Sequence, residues 1–147
     1  GGKAMGIGSC EMFTRFLDQQ GGKVIATLYC GDGTFLADPE LNAKKFAAMA
    51  KKFNPDVVIC GPCFNYANYG IMAAKSAEAI SELTNIPAFA SQECEKAIET
   101  YKDKVTILKM PKKGGIGLNE SLSAMCEYAK MLVDKKDTAE FLEKHAY

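Results

Sequence analysis

Residues 56–60 read Asp-Val-Val-Ile-Cys, and residues 61–63 continue as Gly-Pro-Cys. The first five form a short, β-branched apolar run that the Gly-Pro pair ends abruptly. Similar runs lie at residues 24–30, 86–90 and 105–110. Their apolar character is nearly continuous rather than alternating, which is typical of strands covered on both faces of a parallel sheet. The sequence therefore predicts about four strands in a mainly parallel sheet.

Helical patterns separate these strands. Asp38 is a suitable N-cap and Pro39 a suitable first residue for a helix that ends near Phe53. The first predicted helix begins after residue 9, the second spans residues 38–53 and the third begins after residue 70. Two more helices are predicted at residues 91–101 and 119–133, and a short helical tail from residue 138. This alternation predicts one α/β domain over residues 1–147, a three-layer, doubly wound sandwich of the Rossmann-like or flavodoxin-like kind. No strand is predicted before the first helix, as if a first strand were missing.

Composition restricts the classes of partner. Eighteen basic residues balance eighteen acidic ones, so we expect neither nucleic acid nor an anionic membrane as a partner. No apolar run approaches the roughly 20 residues of a membrane-spanning helix and no leader segment precedes the domain, so we expect a cytoplasmic location. The one histidine, His145, lies beside the C-terminus, which argues against a histidine-based triad.

Cysteine is the most prominent chemical group of the sequence. Cys30, Cys60 and Cys94 each follow a predicted strand, Cys63 completes a C-x-x-C turn, and ligands of open α/β sheets bind at the carboxyl ends of strands. A C-x-x-C pair suits either a reversible disulfide or two ligands of a soft metal. Each cysteine also has a plain interpretation as a small buried side chain. That interpretation is the better one for Cys126, which lies on an apolar helical stripe.

Several longer segments, taken in order, resemble one known family. They are residues 24–32, 54–59, 61–62, 64–65, 69–70 and 85–87. Together they are similar to the N-terminal region of the selenoprotein B subunit of glycine, sarcosine and betaine reductases, over about Gly6 to Lys136. The resemblance implies a component of a multi-subunit reductase whose selenol cleaves the C–N bond of a small amine. The family's selenocysteine lies in a later region, so the chain is expected to be a fragment or a shortened, divergent relative without it.

The leading hypothesis is thus an oxidoreductase component that uses thiol chemistry. Cys60 and Cys63 stand where the family usually has small apolar residues, and Asn68 stands where it has an arginine. We expect Cys60 and Cys63 to be catalytic. The expected substrate-binding residues are Cys30, Asp32, Phe64, Asn65, Tyr69 and Glu95. The partners implied are other subunits of a reductase complex and a small amine or amino-acid substrate, and homo-oligomerisation stays open.

Two alternatives belong to other functional classes. The first is a non-catalytic binding or assembly domain, with Cys30, Cys60, Cys63 and Cys94 holding a metal ion or an iron–sulfur centre. The second is a flavodoxin-like mononucleotide binder, favoured by fold alone. A phosphate would then meet the turn predicted at residues 31–35, where Asp32 would repel it.

Overall fold

The computed structural model describes residues 1–147 and has an α/β fold. Seven helices are present: α1 (Cys10–Gln19), α2 (Asp32–Ala37), α3 (Pro39–Phe53), α4 (Ala67–Leu83), α5 (Glu95–Tyr101), α6 (Leu118–Val133) and α7 (Ala139–His145). Five short strands accompany them: β1 (Gly2–Lys3), β2 (Thr27–Leu28), β3 (Val58–Cys60), β4 (Ala88–Ser91) and β5 (Ile107–Leu108).

The three strands β3, β4 and β5 form the parallel sheet that the sequence predicts. Their order in the sheet is β3-β4-β5, and Cys60 pairs with Ala90, which in turn pairs with Ile107. Because the strands are parallel, their carboxyl ends meet at one edge of the sheet. The α/β class and the parallel sheet are therefore confirmed.

Helices cover both faces of this sheet. Phe89 is fully buried under α6, where its ring meets Tyr128 edge-on with centroids 4.8 Å apart. Ala90, the next residue along β4, packs instead with Ala73 and Ala77 of α4. Neighbouring residues of one strand thus enter two separate cores, which explains why the apolar character of the strand runs is nearly continuous.

The doubly wound, three-layer sandwich is not confirmed. The five strands divide between two sheets, and the order β3-β4-β5 follows the chain without the reversal that defines a doubly wound sheet. The strand predicted at residues 24–30 is reduced to β2, which pairs antiparallel with β1. The prediction that no strand precedes the first helix was wrong. The strand β1 lies before α1 and pairs with β2.

Helix boundaries follow local chemistry closely in some places and not in others. Asp38 caps α3 as predicted, with its Oδ1 accepting a hydrogen bond from the Leu41 backbone N–H at 3.2 Å. The turn predicted at residues 31–35 is instead the start of α2. Helix α4 begins three residues before Gly70, and α5 begins at Glu95 because the chain before it is still extended.

The two outer edges of the parallel sheet differ. On the β5 side, Ala146 bridges to Leu108, the Lys109 N–H donates to the His145 carbonyl at 2.8 Å, and the Tyr147 N–H donates to the Ile107 carbonyl at 3.1 Å. The end of the chain therefore covers that edge, whereas no strand pairs with the outer edge of β3.

None of the helices combines the length and the apolar character needed to cross a membrane.

Candidate functional site

A cleft of about 700 Å³ runs beside β3 and reaches the carboxyl end of that strand. Its walls are mostly apolar and come from five parts of the chain. They are the first helix with the segments on either side of it, the second half of α3, residues 53–60 around β3, residues 61–80 in the following loop and α4, and the last turns of α6. The cleft thus joins the Cys60–Cys63 turn to a long apolar groove.

A tight turn carries the cysteine pair. Cys60 ends β3, and Gly61 follows with a φ of 136°, in the region that favours glycine. A Cβ atom on Gly61 would lie 2.8 Å from the Ser91 carbonyl oxygen, so a side chain there would push the turn away from β4. The Cys63 N–H donates to that same carbonyl at 3.0 Å, which fixes Cys63 beside the end of β4.

Phe64 continues the turn in a strained conformation. Its φ of 52° is uncommon for a bulky residue and costs of the order of 1–3 kcal/mol. Three contacts hold it there. The Phe64 N–H donates to Met110 Sδ at 3.3 Å, while its carbonyl accepts from the Glu93 N–H at 2.6 Å and from Cys94 Sγ at 3.4 Å.

Two buried thiols lie against the first turn of α4. Cys63 Sγ donates to the Tyr69 carbonyl at 3.5 Å, and Cys94 Sγ lies 3.4 Å from the Tyr66 carbonyl. Gly70 makes room for them, because a Cβ at that position would overlap Gln92 Oε1 and Cys94 Sγ. The absence of a side chain at Gly70 therefore lets the loop after β4 pack directly on α4.

Burial sets the chemistry of these thiols. Burial raises the pKa of Cys60 to about 12. The pKa of Cys63 is also raised to about 12, mainly by burial and additionally by the negative charges that Cys60 and Cys94 would carry when ionised. The pKa of Cys94 is also raised, mainly by burial. Both members of the C-x-x-C pair are thus protonated at neutral pH, and ionising one of them opposes ionising its neighbours.

A metal centre does not fit this arrangement. Nowhere in the chain do three or more histidine, cysteine, aspartate or glutamate side chains come close enough to hold a metal ion. Cys30 packs instead against the core around Phe35, and Cys94 is engaged with backbone carbonyls. The cysteines proposed as a metal or iron–sulfur set are therefore not gathered into one coordination site.

The predicted site residues fall into two groups. Cys60, Cys63, Phe64 and Tyr69 all line the cleft. The others lie outside its lining: Cys30, Asp32, Asn65 and Glu95. Among these, Asp32 Oδ2 accepts a hydrogen bond from Asn68 Nδ2 at 3.3 Å, and Asn65 and Glu95 point to solvent. Cys126 is fully buried in the core beneath α6, as its helical stripe predicts.

Sequence reasoning missed several residues that shape the site. Ser76 is buried in the cleft wall, and its Oγ has no hydrogen-bond partner. Gln92 is fully buried, donates from Nε2 to the Gly70 carbonyl at 3.0 Å, and leaves its Oε1 unpaired. Tyr147 reaches back from the C-terminus to donate to Glu93. No local sequence pattern predicts these contacts, because each one joins parts of the chain that are distant in sequence.

Comparison with known proteins gives one consistent result. A family model described as glycine/sarcosine/betaine reductase selenoprotein B matches residues 3–147. The component B subunit gamma of the glycine reductase complex from Carboxydothermus hydrogenoformans is 32% identical over 116 residues, which cover 78% of this chain and 26% of that protein. The component B subunit beta of the sarcosine reductase complex from Peptoclostridium acidaminophilum is 26% identical over 114 residues, or 77% of this chain and 25% of that protein.

The chain thus spans about a quarter of the length of these curated relatives. No solved structure matches it.

Proposed function

The chain belongs to the glycine/sarcosine/betaine reductase selenoprotein B family, and from that premise we propose that it is a domain of a component-B-type reductase subunit. Its proposed substrate is a small amine or amino acid that enters the cleft beside β3. The observation that carries the proposal is the family match over residues 3–147, which includes every residue that lines the cleft. Other subunits of a reductase complex are the proposed partners.

Cys60 and Cys63 are the proposed thiol centre. In the proposed step, a thiolate sulfur attacks the carbon that bears the amine, a C–S bond forms and the C–N bond breaks. The amine leaves with the bonding electron pair and takes up a proton. Each of the two cysteines lines the cleft, which supports this assignment.

Burial opposes this reaction until a substrate is bound. Because both thiols have a raised pKa of about 12, the free domain holds them as weak nucleophiles. An ammonium group close by would favour the thiolate, since an opposite charge within about 4–6 Å lowers the pKa of an acid. The substrate's own ammonium is the cation that we propose for this role.

The test is a single-turnover reaction with the reduced, anaerobic protein. After incubation with glycine or sarcosine, peptide mass spectrometry should find a carboxymethyl group on Cys60 or Cys63. The variants Cys60→Ser and Cys63→Ser identify the sulfur that carries it, and the buried core residue Cys126 is the internal control. Absence of the adduct, or equal modification of all six cysteines, would refute the thiol mechanism.

A non-catalytic assembly domain is the second candidate. The raised pKa values of the cleft thiols favour this candidate, because thiols that stay protonated and unreactive can serve packing alone. This candidate predicts that a Cys60→Ser, Cys63→Ser double variant still joins reductase subunits and still supports their activity. Loss of turnover with assembly intact would instead favour the thiol mechanism.

A further inference from the structure

Ser76 carries a buried hydroxyl that makes no hydrogen bond within the protein. The residue is only 5% exposed, and no protein group bonds to its Oγ. Other hydroxyls on helices or at their ends behave differently, because those of Thr14, Thr84 and Thr100 donate to the carbonyl four residues earlier at 2.6–2.9 Å. The same local bond is open to a helical serine, and Ser76 does not make it. Buried polar groups are normally hydrogen-bonded, so this exception calls for an explanation.

The side chain of Ser76 belongs to the stripe of α4 that lines the cleft. The stripe has the three- and four-residue spacing of one helix face and consists of Tyr69, Met72, Ala73, Ser76 and Ile80. Three different apolar clusters surround it, because Ala73 packs with Cys63, Met72 packs against the cluster of Phe46, and Ile80 packs with Ala50. Ser76 is thus the buried hydroxyl of an otherwise apolar part of the cleft wall.

Helix α4 also brings Ser76 near the proposed thiol centre. Cys63 and Ala73 belong to one buried cluster, and Cys60 packs against it. Ser76 follows Ala73 by three residues, and side chains at this spacing on a helix face have Cβ atoms about 5–6 Å apart. Cys60, Cys63 and Ser76 all line the cleft. This spacing suits a small ligand group held between a thiol and the Ser76 hydroxyl.

The charges of the cleft indicate which group that is. Charged side chains line the cleft only at Lys23, Asp56 and Lys130, which lie outside α4. A carboxylate beside Ser76 would lack a cation and would repel a thiolate, and both effects are costly in an apolar setting. An ammonium has the charge that pairs with a thiolate, and its N–H groups need acceptors once they leave water.

We propose that Ser76 is a specificity-determining residue, whose Oγ accepts a hydrogen bond from an N–H of the substrate ammonium. The assignment rests on the proposed function, in which this ammonium lies beside the thiols. A serine oxygen has the lone pairs that such a bond requires. The residue then selects amines that keep at least one N–H, such as glycine and sarcosine. The quaternary ammonium of betaine has no N–H and would leave the hydroxyl unpaired.

The first test measures binding without turnover. The reduced, ¹⁵N-labelled chain is titrated with sarcosine, dimethylglycine and betaine, which carry two, one and no N–H groups, and the amide shifts of Ala73 and Ser76 report occupancy. Sarcosine should bind about tenfold tighter than betaine or more. Ser76→Ala should weaken sarcosine binding by about tenfold or more, the loss expected for a hydrogen bond to a charged group, and should leave betaine binding unchanged.

Ser81→Ala is the matched control on the same helix. Its hydroxyl lies outside the cleft lining and donates to the Ala88 carbonyl at 3.4 Å, so its removal should leave both affinities unchanged. Without ligand, Ser76→Ala should be the more stable of the two variants. Both gain the helix propensity of alanine, but only Ser81→Ala loses a hydrogen bond. The opposite order in urea denaturation would show that the fold itself pairs the Ser76 hydroxyl, and would overturn the proposal.

The remaining outcomes separate this inference from the proposed function. If sarcosine binds the natural sequence and Ser76→Ala equally well, or if betaine binds as tightly as sarcosine, the role of Ser76 is wrong. The carboxymethyl adduct on Cys60 or Cys63 is measured independently and still tests the thiol mechanism. If none of the three compounds shifts Ala73 or Ser76 at millimolar concentration, the proposed amine substrate fails and the role of Ser76 fails with it.

Discussion

Cys60 and Cys63 show how burial changes the proton affinity of a side chain. A free cysteine has a pKa near 9, so a thiol with a pKa of about 12 has a thiolate fraction roughly a thousandfold smaller at neutral pH. The C-x-x-C pattern alone suggests reactive thiols, whereas its position at the end of a covered strand protects them. In the proposed mechanism, the reactivity of these thiols therefore depends on what enters the cleft.

The raised thiol pKa values predict a loss of stability at alkaline pH. A group whose pKa is raised by folding stabilises the native state below its unfolded pKa and loses that contribution as the pH rises through the folded value. For Cys60 and Cys63 the window runs from about pH 9 to about pH 12. Urea denaturation at a series of pH values should show the free energy of unfolding falling across this window.

A double variant separates this effect from other titrations. Replacing Cys60 and Cys63 with alanine should make the decline between pH 9 and pH 12 less steep, because those two thiols then no longer ionise on unfolding. Other groups with a raised pKa, such as Cys126 and Tyr147, remain in both proteins. Parallel curves for the double variant and the natural sequence would contradict the assignment.

At the level of elements, the position of α4 depends on the absence of a side chain at Gly70 in its first turn. Gly70 lies inside the helix, where glycine normally costs stability, yet Gln92 and Cys94 occupy the space that a side chain would fill. The loop after β4 can therefore pack on α4 and hold the strained Phe64. The stabilisation from this close packing therefore outweighs the low helix propensity of glycine.

This packing predicts opposite effects for two glycine substitutions. Gly70→Ala should lower the free energy of unfolding by about 1–3 kcal/mol, because the new methyl group overpacks a closed space. Gly33→Ala is the matched control in α2. No atom lies within 4 Å of its added Cβ, so alanine should stabilise the protein by about 0.5–1 kcal/mol. Chemical denaturation measures both changes, and a stabilising Gly70→Ala would contradict the described packing.

At the scale of the whole molecule, the last residues of the chain link the sheet to the candidate site. Residues 145–147 bond to β5, and the Tyr147 hydroxyl donates to Glu93, whose N–H holds the Phe64 carbonyl. Burial and the bond to Glu93 raise the pKa of Tyr147. The C-terminus therefore contributes to the loop that carries Cys94 although it lies far away in sequence.

Removing residues 145–147 should therefore affect two places at once. The outer edge of β5 loses its cover, so the Lys109 amide should exchange faster, and the loop around Glu93 should lose protection. Tyr147→Phe is the matched variant, because it removes only the hydroxyl contact and should change the Glu93 loop while leaving Lys109 protected. Hydrogen exchange measures both. An unchanged Lys109 amide in the truncated protein would show that this edge is held in another way.

The sequence by itself determined the α/β class, the parallel strands that lie within or overlap the predicted runs at residues 56–60, 86–90 and 105–110, the cap of α3 and the burial of Cys126. These features depend on local periodicity and on single-residue preferences, which short windows of sequence contain. The family resemblance was likewise readable from ordered segments, and the match over residues 3–147 confirms it.

Only the tertiary structure decided the rest. It paired β2 with β1 instead of extending residues 24–30 as a strand, because strand length depends on the partner that is available. It placed Cys60, Cys63, Phe64 and Tyr69 in one cleft, left Cys30 and Glu95 outside it, and raised the pKa of the buried thiols. Proximity, burial and strand pairing arise from contacts between distant parts of the chain, and local sequence patterns do not contain them.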